Sequence, residues 1–402
     1  MDVFKPAEPI LRCLIEAGYQ AYIVGGSVRD YLLNTPINDI DIATSAKPEQ
    51  VMALFPQVIP VGLEHGTVIV RDHHTSFEVT TLREETTYSD RRHPDAVHFV
   101  TDVVKDLARR DFTMNAMTLT ESKELIDPFD GQSDIINKQI QAVGKANKRF
   151  NEDPLRMLRA IRFCSQLGFM IEDQTKCALL ANLPLISEVS IERIQVELEK
   201  FFKGSYLPEA LILPETKKLL SHLPFFNKKT AIIADLINVT LPFHRLIDVF
   251  VYLSFTHDDI ILTGFYKSYR LSNVQKREGL MLLAALERYQ QKESLSLIVY
   301  HLPSHLYERF SDLVARSSLD SLDLVMLKQA NQALPIHSKQ DMALTGNDLI
   351  QLFPERKRGE WIGEMLDRLE TNVISGKLPN QREYLKEWVT WSYPIEKKSF
   401  NY

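Results

Sequence analysis

The residues best suited to chemistry lie in three places. They are Gly25-Gly26-Ser27-Val28-Arg29-Asp30, the pair Asp39 and Asp41, and Arg109-Arg110-Asp111-Phe112-Thr113-Met114-Asn115-Ala116. Glycines at a strand-to-turn junction let backbone N–H groups approach phosphate oxygens, and the start of a following helix adds favourable partial charge. Two carboxylates one residue apart on an extended strand point to the same face. Oxygen-only ligands that close together suit a hard cation such as Mg²⁺, which keeps several waters and shares substrate phosphates. Paired glycines alone are mostly turns, and an Asp-x-Asp pair alone is often a solvated strand. What carries weight is their order: a phosphate turn, then Arg29, then Asp39 and Asp41. That constellation suits nucleotidyl transfer at a two-ion Mg²⁺ site held by Asp39 and Asp41. Glu78 points away from the face of Phe77 and Val79 and is the candidate third carboxylate, against the plainer reading of a solvent-facing glutamate.

A second cluster is Glu152-Asp153-Pro154-Leu155-Arg156-Met157-Leu158-Arg159-Ala160-Ile161-Arg162-Phe163. Pro154 fits a first helical turn, and Asn151 or Asp153 could cap it. The bland alternative is a capping acid followed by a solvated arginine face. Each three-residue step slips about 60° around a helix, so Arg162 falls roughly opposite Asp153. Asp153 and Arg156 are neighbours. On their Watson–Crick edges cytosine and adenine both offer an amino donor beside a ring-nitrogen acceptor. An aspartate acceptor beside an arginine donor matches both, whereas uracil and guanine present the reverse order and leave both groups mispaired.

The elements that must position these groups show two regimes. From about Tyr19 to Ala142 short β-rich runs alternate with helices: Ala21 to Val24 enters the glycine pair, Ile40 to Ala43 is a second strand, and Gly66 to Val70 with Ser76 to Thr81 reads as a hairpin. After about Gly144 apolar residues recur at three- and four-residue spacing, as in Leu155 to Leu167, Ser190 to Phe202 and Asn273 to Tyr289. Charge balance (47 basic against 53 acidic residues) does not describe a bulk nucleic-acid coat, so any RNA must meet local basic patches. Candidates are Lys145, Lys148 and Arg149, and Arg356, Lys357 and Arg358. Cys13, Cys164 and Cys177 form no metal-ligand pair and read as reduced core thiols. His257-Asp258 reads as a surface pair, and His73, His74 and His93 as loop polars. The N-terminus is amphipathic rather than secretory, and no apolar run reaches the roughly 18 residues that span a bilayer. The expectation is a cytoplasmic protein without membrane contact.

Gly25–Asp30, Asp39-x-Asp41, Glu78-Val79-Thr80-Thr81-Leu82-Arg83 and Arg109–Ala116 together resemble the class II tRNA nucleotidyltransferases, the CCA-adding enzymes of the polymerase-β superfamily. The likeness continues through Asn151–Phe163 and the C-terminal run from Leu344 to Leu378. It implies an α+β fold: a polymerase-β-like nucleotidyltransferase head with a mixed β-sheet (1–143), then an all-α neck for base recognition (144–205), body (206–330) and tail (331–402), the last two binding tRNA. It implies catalytic and metal-holding roles for Asp39 and Asp41. It makes Gly26, Arg29, Arg110, Asp153, Arg156, Arg159 and Arg162 the nucleotide-binding set. The implied activity is template-independent addition of CCA to the acceptor stem and 3′ end of tRNA from CTP and ATP, and the sequence is compatible with a homodimer. Thr86 to Asp95 resembles the loop that relatives need for the final adenosine. Rival readings are a bacterial poly(A) polymerase, an enzyme that adds only A, and an inactive RNA-binding module. Val61 to Val68 lacks the arginine-rich stretch of the first, and the intact charged set speaks against the last.

Overall fold

The computed structural model describes residues 3–37, 39–72, 75–86, 91, 96–229, 231–317 and 319–392. His73, His74, His93 and most of the Thr86 to Asp95 loop lie outside the described residues. The chain divides into two compact units, Met1–Leu246 with Ser268–Arg270, and Ile247–Lys267 with Leu271–Tyr402.

The first unit opens with α1 (Glu8–Glu16), which buries Ile10, Leu11 and Leu14. Strand β1 (Ala21–Val24) runs into Gly25, and α2 (Gly26–Leu32) leaves it. Then come β2 (Asp41–Thr44), α3 (Pro48–Leu54), β3 (Val58–Gly62), β4 (Thr67–Asp72) and β5 (Thr75–Thr81). A separate ribbon of β6 (Arg83–Glu85) and β7 (Val97–Phe99) precedes α4 (Val103–Ala108). Short strands β8 (Thr118–Leu119) and β9 (Leu125–Ile126), then α5 (Gly131–Ile136) and β10 (Gln139–Ile140), complete the head. The main sheet has the order β3-β4-β5-β2-β1-β8-β9. It is mixed: β2 and β5 run parallel and the other neighbours antiparallel.

Register fixes which residues share a face. Asp41 lies beside Glu78 and Ala43 beside Thr80, while Thr67 faces Thr80 across β4 and β5. Because side chains alternate along a strand, Asp41, Glu78, Thr80 and Thr67 stand on one face of the sheet. Ile42, Val68 and Val79 fill the other face and are buried. On the site's own face α4 packs Val103 and Leu107 against Val24, Ala43, Leu82, Ala116 and Val143. This packing delivers the α4 C-terminus, and with it Arg109 and Arg110, to the acidic row. The second strand starts at Asp41 rather than Ile40, so Asp39 sits exposed in the extended lead-in.

The helical part of this unit holds α6 (Ala146–Glu152), α7 (Leu155–Leu167), β11 (Met170–Ile171), α8 (Asp173–Asn182) and α9 (Ile191–Phe202). β11 pairs in parallel with β10, so a two-residue strand interrupts the helical run. Two residues are too short to leave a periodic signal. Helix α7 buries Leu155, Met157, Leu158, Ala160, Ile161 and Phe163, and ends at Gly168 in the left-handed region. The cysteines need correction: they are free, but Cys164 is buried, Cys13 half-buried and Cys177 exposed, because helical spacing points Cys177 to solvent.

The second unit is helical. Ser272 caps Asn273–Gln290 in a capping box with Gln275. Arg309 clamps the buried Asp248 at 2.6 Å and Glu278 at 2.6 Å. No described helix is long and apolar enough to cross a membrane.

Candidate active site

A cleft of about 340 Å³ opens on the carboxylate-bearing face of the sheet. Asp41, Glu78, Thr67, Thr80, Arg83, Asp106, Arg109, Arg110, Asp111, Asp153, Arg156 and Arg159 line it. Five of the expected residues therefore share one cavity: Asp41, Arg110, Asp153, Arg156 and Arg159. Asp39, Gly26, Arg29 and Arg162 lie outside its lining, each for a visible reason. Asp39 precedes the strand. Arg29 is turned onto Asp30 (2.7 Å) and Asn115 (2.7 Å), and Arg162 is held by Glu197 and Gln166.

The turn is shaped by Gly25 more than by Gly26. Gly25 has φ +76°, and a Cβ there would sit 2.9 Å from Arg110 Nη1 and 3.6 Å from Asp41 Oδ2. A Cβ on Gly26 would meet Arg29 Nη2 at an ordinary 3.5 Å. The bare Gly25 backbone is thus what lets the Arg110 guanidinium and the Asp41 carboxylate converge.

Burial, and then Glu78 beside it, push the Asp41 carboxyl up to about 6, with Arg110 opposing and Asp39 adding. That uncompensated acidity is the environment a bound dication would discharge. Among the described residues no group of three or more His, Cys, Asp or Glu forms a metal cage by itself. The neighbouring carboxylates of Asp41 and Glu78 are oxygen-only donors, the chemistry that suits a hard cation which keeps waters and borrows phosphate oxygens from a substrate.

Asp153 and Arg156 face the same cleft but do not bind each other's side chain. The Asp153 carboxylate accepts from Arg193 at 2.7 and 3.2 Å, and from the Leu155 N–H at 3.1 Å, so it also caps α7. Arg156 donates to Glu152 at 2.9 Å and to the carbonyls of Arg109 and Arg149, each at 3.2 Å. Each group is locked separately, in an orientation set by other elements.

A relay of charged groups ties the head to the helices. Arg29 donates to Asn115 (2.7 Å), Asn115 to Asp111 (3.1 Å), and Arg159 to Asp111 (2.5 Å). Arg159 also reaches Glu197 at 3.4 Å, and Arg162 approaches Glu197 at 2.6 Å. Burial alone would raise the Asp111 carboxyl, but Arg159 beside it and hydrogen bonds from Asn115 and Arg159 hold it well below the usual carboxylate range. Phe163 is the apolar hub: Arg162, Arg29 and Arg159 lie 3.8, 5.1 and 5.7 Å from its ring centroid. Phe112 meets it edge-on at 5.8 Å.

Arg193, Glu197 and Asp106 were not singled out from the sequence. Asp106 is buried and holds Arg109 at 2.8 Å and Arg110 at 3.4 Å. Arg193 and Glu197 sit four apart on α9, a spacing that also describes an ordinary solvated helix pair. No local signal separates the two cases. Arg149, expected in an RNA-facing patch, instead turns inward to Glu152 (2.8 Å) and the Val143 carbonyl (3.2 Å). Lys145 and Lys148 remain exposed.

Glu197 carries a stability prediction. Its side chain and that of Arg162 are 6% and 8% exposed. Glu197→Ala removes the counter-ion of a buried cation, which costs about 3–5 kcal/mol. Chemical unfolding should show that loss as a lower midpoint with unchanged slope, and an unshifted midpoint would refute the pairing.

Residues 21–141 match the Poly A polymerase head domain family, and residues 246–389 match tRNA nucleotidyltransferase domain 2. The chain is 41% identical over 394 residues to the CCA-adding enzyme of Oceanobacillus iheyensis, covering 98% of each. It is 39% identical to that of Bacillus cereus, covering 97% of this chain and 98% of that one. The crystal structure of Bacillus stearothermophilus CCA-adding enzyme in complex with CTP superposes with a TM-score of 0.88 at 34% identity, covering 98% of each chain.

Proposed function

The chain belongs to the CCA-adding enzymes, and from that premise we propose that its cleft builds and repairs the 3′-terminal CCA of tRNA from CTP and ATP. The observation that carries this reading is that Asp41 and Glu78 line the same cavity as Asp153 and Arg156. One bound triphosphate can therefore touch the acidic row and the base-reading pair together.

In the reaction, the 3′-oxygen of the tRNA end bonds to the α-phosphorus of the nucleotide. The bond from that phosphorus to its bridging oxygen breaks, pyrophosphate leaves, and the hydroxyl proton passes to water. Asp39, Asp41 and Glu78 would hold Mg²⁺, which supplies Lewis-acid stabilisation of the charge that develops on the phosphate oxygens. Arg110 and Arg159 place fixed positive charge in the cleft, where it needs no reorganisation as the reaction proceeds. Arg29, outside the lining, acts through the Asn115–Asp111 relay. Gly26 begins α2 beside that arginine.

Base choice follows from the two anchored groups. Arg193 fixes Asp153 as an acceptor, while Glu152 and two carbonyls fix the plane of Arg156. The pair then imitates the edge of a complementary base for cytosine and adenine and leaves uracil and guanine unpaired. Arg162 acts at a distance, holding Glu197 so that Arg159 keeps its place. We assign 1–143 to catalysis, 144–205 to base recognition, and 206–330 and 331–402 to tRNA binding, with Lys145, Lys148 and Arg356–Arg358 as phosphate contacts read by shape.

The test offers the purified protein a tRNA that ends at the discriminator base, with each nucleotide alone and with CTP plus ATP. Sequencing-gel products should stop after two cytidines with CTP alone, and gain one adenosine when ATP is added. A long adenosine tail would point to a poly(A) polymerase. Extension only of a tRNA already ending in CC would point to an A-adding enzyme.

A further inference from the structure

We propose that the hydroxyls of Thr67 and Thr80 form a subsite for the 2′-hydroxyl on the terminal ribose of the RNA strand being extended. The inference deepens the transfer reading above and rests on it. Both threonines line the cleft, both are half-buried, and their Oγ1 atoms face each other at 3.1 Å across β4 and β5.

Their place in the sheet is informative. Thr80 follows Glu78 by two residues on the same strand face, a step of about 7 Å. Its lateral neighbour is Ala43, just as Asp41 is the neighbour of Glu78. A neutral hydroxyl pair therefore stands one pleat along from the carboxylates.

Among the other threonines of the head, Thr113 donates to the Asp134 carboxylate and Thr120 bonds Ser122, and others spend their hydroxyls on backbone. Thr81 donates to the Ala46 carbonyl, Thr44 to Gln20 and Thr118 to Ile23, each at 2.7 Å. Among the described residues Thr67 and Thr80 bond to each other. A hydroxyl offers one donor and two acceptor lone pairs, so the mutual bond leaves one donor and three acceptor sites open to the cleft. Valine would pack in these strands equally well, so packing does not account for the hydroxyls.

Chemistry then selects the ligand. The arginines suit the anionic triphosphate, and the carboxylates suit cations. A neutral donor–acceptor pair suits a hydroxyl. The acceptor strand ends in two vicinal hydroxyls, of which the 3′ must stand over the acidic row to attack. The 2′ lies on the adjacent carbon, is both donor and acceptor, and is the group that tells RNA from DNA.

The experiment measures kcat/KM for adding C to two synthetic acceptors that differ only in a terminal ribose or 2′-deoxyribose. The wild-type protein should prefer the ribose end by roughly tenfold, the worth of a good hydrogen bond. In Thr67→Val and Thr80→Val the preference should fall toward one, through slower use of the ribose end, while KM for CTP holds. Thr67→Ser and Thr80→Ser, which keep the hydroxyl, should retain it. The ratio does not depend on how much of a preparation is folded, so a loss of structure cannot imitate this pattern. Equal use of both ends by the wild-type protein, or full preference in the valine variants, overturns the proposal. Failure of the transfer reading itself shows differently, as a wild-type protein that extends neither acceptor.

Discussion

Asp41→Ala should abolish incorporation of both CTP and ATP, with kcat falling at least about a thousandfold. Stabilisation of the developing charge is worth several kcal/mol and each 1.4 kcal/mol is a factor of ten. Asp41 lines the cleft, aligned with Glu78 and close to the Arg110 guanidinium. The fold should survive the change. Like charges directly opposite in a sheet are destabilising, so removing one of two aligned carboxylates should leave the melting temperature unchanged or raised. Binding of tRNA, which we assign to the helical body and tail, should persist in a filter assay. Normal extension by this variant would mean that the metal-holding role is wrongly assigned. Asp39→Ala should also inactivate, because the exposed Asp39 can swing toward a bound ion from the lead-in to β2.

The second large effect concerns base choice. In Asp153→Ala, discrimination against UTP and GTP should relax by about ten- to hundredfold, the usual worth of a two-point base contact. The structure adds two costs to this substitution, of which the motif disclosed only the possible cap. The variant loses the cap on the Leu155 N–H, worth about 1 kcal/mol, and frees Arg193 from its partner. Arg193→Ala keeps the carboxylate but releases it, so its loss of selectivity should be smaller and in the same direction. Competition between CTP and UTP, read as product composition, measures both. A protein lacking the Asp153 carboxylate that still refuses UTP and GTP would remove the templating idea.

Much of the site was legible in the chain because the chemistry is concentrated in short motifs. Asp41, Arg110, Asp153, Arg156 and Arg159 are named by local spacing and by resemblance, and they do meet in one cavity. The helices Leu155–Leu167 and Asn273–Gln290 follow from apolar periodicity nearly to the residue. Other parts resisted for physical reasons. Gly25 and Gly26 are chemically identical on paper, and only the positive φ of the first distinguishes them. Arg149 looks like a surface cation until its carbonyl partners are seen.

By itself the sequence determined which groups are available: an oxygen donor pair, a bare turn, and an acid and a guanidinium suited to two bases. Those properties reside in residue types and in spacings of one to four positions, within reach of strand and helix geometry. Tertiary structure alone decided who holds whom. Asp111 and Arg159 are 48 residues apart, and Asp153 and Arg193 are 40 apart. Over such separations the chain carries no local periodicity to connect the partners. Only the packing of α9 against α7 brings Arg193 to Asp153, and only the parallel register of β2 with β5 sets Asp41 beside Glu78.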